Sequence, residues 1–104
     1  SLVAPEIVYQ HAHHVYESYL QEGNRKSVFI SFVAAQIIFQ IEETQDEDLF
    51  KILSDLIQFS QSEDESIVLS AYAAVITACE CHPNICSDKN KRFRNLFKMD
   101  QLIL

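Results

Sequence analysis

The sequence predicts an all-α fold, a short right-handed α-solenoid of about two stacked helical-repeat units plus the start of a third. Three observations predict it. A shift of 39 positions lays Val28-Phe29-Ile30 on Ile67-Val68-Leu69, and Val33-Ala34-Ala35 on Tyr72-Ala73-Ala74. A period near ~40 residues built from helix pairs is the pattern of a solenoid, in which each unit buries a face only against its neighbours. Apolar residues also recur at helical spacing through most of the chain. Finally, one glycine and two prolines among 104 residues leave too little turn punctuation for a many-stranded β fold.

Each element follows from local signals. Pro5 suits the first turn of a helix, and Ile7, Val8, His11, Val15 and Tyr19, with Ala12, Tyr16 and Leu20, hold a helical stripe to about Gln21. Gly23-Asn24 then ends one helix and caps the next. The second helix, about Arg25 to Glu42, is apolar nearly all round, so it must be surrounded by others. Thr44-x-x-Glu47 has capping-box spacing and opens a third helix to about Phe59, with Leu49, Ile52, Leu53, Leu56 and Ile57 on one face. Ser62-x-x-Glu65 is a second capping box. The fourth helix runs through Cys81 and stops before Pro83, carrying a stripe of small residues, Ser66, Ser70, Ala73, Ala74, Thr77 and Cys81, that lets a neighbour approach closely. A short basic helix, about Asp88 to Met99, follows with Phe93, Leu96 and Phe97 on its apolar side. The units are thus about 5–43 and 44–84, with 85–104 leading into a further repeat. Lacking an initiator Met and ending on a helix-like Gln101-Leu102-Ile103-Leu104, the chain reads as a piece of a longer protein.

Composition narrows the function classes. An apolar fraction of 48% supports one modest core and excludes disorder. No uncharged apolar run is long enough to span a membrane. A net charge of −7 works against binding nucleic acid over the whole surface. The charge is uneven: nine acids and one base lie between Glu42 and Glu65, whereas five of the eight bases lie between Lys89 and Lys98. Three cysteines, an odd number, crowd together at Cys79, Cys81 and Cys86, where helical neighbours pair badly. That pattern predicts unpaired thiols in a reducing, intracellular compartment, cytoplasm or nucleus.

Clusters of chemically versatile side chains have plainer readings. His11, His13 and His14 lack a carboxylate-bearing metal motif and read as a helix surface with partly buried imidazoles. Cys79-x-Cys81-His82-x-x-x-Cys86 lacks two separated ligand pairs, because Cys79 and Cys81 point roughly 200° apart on one helix. These read as small packed residues and a loop thiol. Glu42, Glu43, Asp46 and Asp48 lack the spacing of a calcium loop and read as caps and a solvated edge. No nucleophile–base arrangement or glycine-rich phosphate loop is present in the sequence. The expectation is a non-enzyme with no cofactor and no metal.

Leu49 to Asn84 resembles an armadillo or HEAT-type repeat: an amphipathic helix, a polar turn at Gln61 to Glu65, and the Ala-rich inner helix Ala71-Tyr72-Ala73-Ala74-Val75-Ile76-Thr77-Ala78-Cys79. Asn24-Arg25 through Ile41 is similar to the inner helix of a preceding unit, and Asn84 to Leu104 to the start of a following one. The resemblance implies a scaffold that binds proteins. It implies no extended-peptide clamp, because Thr77 and Ala73, and Ile38 and Ala34, stand where peptide-gripping members carry asparagine and an aromatic residue.

The function expected is therefore protein–protein interaction, as a module of a larger adaptor or regulatory protein. Tyr16, Tyr19 and Phe39 are the expected apolar anchors, although packing against neighbouring repeats explains them equally. Lys89, Lys91, Arg92 and Arg94 are expected to steer a partner with an acidic segment. A different class, nucleic-acid or phosphoinositide binding through the basic helix 89–98, is the alternative.

Overall fold

The computed structural model describes residues 4–86 and 95–96. Among them lie four α-helices, α1 (Pro5–Glu22), α2 (Arg25–Phe39), α3 (Asp46–Phe59) and α4 (Glu65–Cys81), then a 3-10 turn at Pro83–Cys86, and no strand. The first connection is built as its residues dictate. Gly23 closes α1 at φ 74°, a left-handed conformation that only glycine enters without steric strain. Asn24 then caps α2, its side chain accepting from the Ser27 amide at 2.9 Å.

α1 packs on α2 and α3 packs on α4, while α2 also meets both α4 and α3. α2 is thus the helix with the most neighbours, as its all-round apolar sequence requires. Val28, Phe32, Ala35, Ile38 and Phe39 are at most 2% exposed. The face of α3 is the one its periodicity marks: Leu49, Ile52, Leu53, Leu56 and Ile57 are its buried residues. Phe32 meets Phe59 edge-to-face at 5.3 Å, tying α2 to the end of α3. The result is a slab 42 × 35 × 18 Å, whose short dimension is about two helices thick. Leu96 lies in helical backbone and joins the core, in keeping with its expected apolar side; the rest of the basic helix lies outside the described residues.

Local details depart from expectation in three places. Thr44 does not open α3: its hydroxyl donates to the Ile38 carbonyl at 2.9 Å, which helps end α2 at Phe39 rather than Glu42. α3 starts instead from Gln45 without a side-chain cap, its first turn stabilised by Asp46, Glu47 and Asp48 at the positive end of the helix dipole. At the fourth helix the cap is Asp64, not Ser62. Its carboxylate accepts from the Ser66 and Ile67 amides at 3.0 and 3.4 Å, and Ser62 serves the Asp64 amide. Aspartate caps as well as serine and adds a charge that the dipole favours. The small stripe buried on α4 is Ala71, Ala74 and Ala78, all 0% exposed, whereas Ser66, Ala73 and Cys81 are exposed. The helix is rotated from the expected phase because the three alanines admit the neighbouring helices most closely.

Three buried serine hydroxyls are satisfied locally. Ser31 and Ser60 return bonds to the Val28 and Ile57 carbonyls, and Ser27 donates to the Glu22 carboxylate at 2.6 Å.

Phe39→Ala is expected to cost about 3–5 kcal/mol, since it empties a fully enclosed site. Val33→Ala, six residues earlier on the same helix but 59% exposed, is expected to change stability by less than about 0.5 kcal/mol. Urea denaturation of both variants checks the contrast.

Candidate interaction surface

α2 and α4 run side by side in the same direction. Thr77 donates to the Gln36 side chain at 3.4 Å, and further along, the His82 Nε2 donates to the Phe39 carbonyl at 2.7 Å. Both helices turn apolar side chains outward. Val33 and Ile37 on α2 are 59% and 41% exposed, and Leu69 and Ile76 on α4 are 68% and 57% exposed. Ile30 and Ile37 are separated from Leu69 and Ile76 by the 39-residue period, so the apolar rows of the two parallel helices match position for position. The face continues toward α1 as a groove of about 410 Å³, lined by Ile7, His11 and Val15 from α1 and by Ile30, Val33 and Ile37 from α2. Its lining is almost wholly apolar, with a histidine as the one titratable group. Such a surface can bury a partner's apolar side chains.

Polar contacts at the same period tie α1 to α3 and the start of α2 to the start of α4. The Tyr9 hydroxyl donates to Asp48, the Tyr16 hydroxyl to Asp55 at 2.8 Å, and the Arg25 Nε to Asp64 at 2.6 Å; each pair spans 39 residues. Burial raises the pKa of both phenols well above the usual tyrosine range, and the aspartates beside them push in the same direction. The hydrogen bond from Arg25, followed by the helix-cap amides, holds the Asp64 carboxyl below its ordinary range. Arg25 also lies over the Phe29 ring at 5.1 Å.

These contacts relocate two of the expected anchors. Tyr16 is 1% exposed and Phe39 0%, so both are core residues and present nothing to a partner. The amphipathic stripe of α1 turns Tyr16 toward α3, and Phe39 closes the last turn of the most enclosed helix. Tyr19 is half-buried. Lys89, Lys91, Arg92 and Arg94 lie outside the described residues. Sequence reasoning missed the exposed row itself. Its signal was present in the aligned pairs Ile30/Leu69 and Ile37/Ile76, but an apolar helix gives no indication of which side lacks a cover.

The histidines do not converge. His13 pairs with Glu17 at 2.9 Å and stacks on Tyr9, whereas His11 faces the groove. Among the described residues no group of three or more His, Cys, Asp or Glu is placed to hold a metal ion. Cys79 is disulfide-bonded and Cys81 is free and exposed, which corrects the expectation of unpaired thiols. Among the described residues no helix is long and apolar enough to cross a membrane.

Tyr16→Phe leaves the Asp55 carboxylate without its donor and is expected to cost about 1.5 kcal/mol, as for a hydrogen bond to a charged group. The sign with pH is fixed. The folded state keeps the Tyr16 proton while the unfolded chain loses it near ~10, so this stability is complete below that pH and falls as pH rises further. Urea midpoints on either side of that pH should converge for wild type and Tyr16→Phe on the alkaline side. The chain matches no family model, no curated protein and no solved structure in comparisons with known proteins.

Proposed function

We propose that this chain is a non-catalytic protein–protein interaction module, an armadillo/HEAT-like pair of helical units from a right-handed solenoid within a larger adaptor or regulatory protein. The observation that carries the reading is the outward apolar face of α2 and α4 with its groove against α1, where Ile7, Val33, Leu69 and Ile76 are each more than half exposed. Monomeric soluble proteins seldom leave so many large apolar side chains together without a use for them. The repeat reading is supported by three side-chain bonds that share one sequence separation, equal to the period of the sequence itself.

Binding draws on burial of the exposed row, at about 25 cal/mol per Å² of apolar surface removed from water. Lys89, Lys91, Arg92 and Arg94 steer an acidic segment toward it, a role that favours association rate over affinity. The acidic stretch from Glu42 to Glu65 keeps nucleic acid away from the neighbouring edge.

The tagged chain is expected to retain a discrete protein from whole-cell lysate after nuclease treatment, and Ile7→Glu is expected to reduce that retention at least about tenfold by placing a charge in the groove. Mass spectrometry of wild-type and variant eluates reads the difference. Retention that disappears with nuclease, or that Ile7→Glu leaves unchanged, overturns the reading.

A further inference from the structure

We propose that the α2–α4 part of this face is covered by a second copy of the same chain, related by a two-fold axis parallel to the two helices. The inference rests on the interaction-module reading and names the partner for one part of its surface.

The two rows are complementary to each other. On α2 the outward row runs Lys26, the half-buried Ile30, Val33 and Ile37; on α4 the exposed row runs Glu65, Leu69, Ala73 and Ile76. Lys26, Ile30 and Ile37 correspond to Glu65, Leu69 and Ile76 by the 39-residue period, so the apolar positions repeat and the charge inverts. The levels agree as well. Arg25 with Asp64 and Gln36 with Thr77 fix α2 and α4 in parallel, with matching positions at similar heights.

Rotation by a half-turn about an axis along the helices lays α2 on the second copy's α4, and α4 on the second copy's α2. Heights are preserved by that operation. Ile30 then meets the second copy's Leu69, Ile37 meets its Ile76, and Lys26 meets its Glu65, and each contact is made twice, as in an isologous interface. The bulk of Val33 lies close to the small Ala73. Lys26 and Glu65 are both exposed, and neither is in an ion pair among the described residues. The other two-fold that joins these faces has its axis across the helices. It lays α4 antiparallel on its own copy and opposes Glu65 to Glu80, two exposed acids. Charge therefore selects the parallel arrangement.

Sedimentation equilibrium of the chain over a concentration series tests this. A monomer–dimer equilibrium is expected, with Leu69→Glu weakening it at least about tenfold while leaving the far-UV circular dichroism melt unchanged. Lys26→Glu and Glu65→Lys alone should each weaken dimerisation several-fold. The double variant Lys26→Glu/Glu65→Lys should restore it to within about twofold, because the pair is re-formed with its signs exchanged. A chain that stays monomeric throughout, a dimer indifferent to Leu69→Glu, or a double variant no better than either single change overturns the proposal. A monomer that still retains a protein partner in an Ile7-dependent way sinks the self-association alone and leaves the interaction-module reading intact.

Discussion

The enclosure of α2 is the constraint on which the rest of the structure depends. A helix with apolar residues on nearly every side cannot end its folding as one half of a hairpin. α1 covers part of it, but Phe32, Ala35 and Phe39 need α3 and α4 as well, and the Phe32–Phe59 contact joins the two helix pairs. The three alanines of α4 allow that joining, because a larger side chain at Ala71, Ala74 or Ala78 would hold the helices apart. The Tyr9–Asp48 and Tyr16–Asp55 bonds then set which residue of α3 stands opposite which residue of α1. Apolar packing supplies the drive and the phenol–carboxylate pairs supply the register.

Much of this was legible in the sequence, and what was legible followed periodicity. The five buried residues of α3, the Gly23-Asn24 junction and the end of α4 before Pro83 all rest on local rules that tertiary packing does not disturb. The caps of α3 and α4 were misplaced by one or two residues because polar side chains compete there. Thr44 had two uses available, and the Ile38 carbonyl claimed it. On α4 the small residues occur on several sides, so sequence could not say which set faces inward until the neighbours were placed.

The surface was less legible than the core, for a physical reason. An apolar residue looks the same in sequence whether it is covered by its own fold or by something else. Tyr16 and Phe39 were read as anchors on that ground and are interior, while Leu69 and Val33, equally apolar, are outside. Only the placement of all four helices separates the two groups. The cysteines show the same limit, since helical spacing that disfavours pairing among close neighbours did not exclude a disulfide at Cys79.

The uniform separation of the side-chain bonds between helices also bears on how the chain folds. Tyr9–Asp48, Tyr16–Asp55 and Arg25–Asp64 close loops of identical length, and Gln36–Thr77 and Phe39–His82 close loops only slightly longer, at 41 and 43 residues. Loop-closure entropy grows with the logarithm of length, so all five cost nearly the same to form. No contact among them requires the chain ends to find each other first. Appending units with the same spacing would leave that cost per unit unchanged, so the search for the native pairing need not slow as such an array grows.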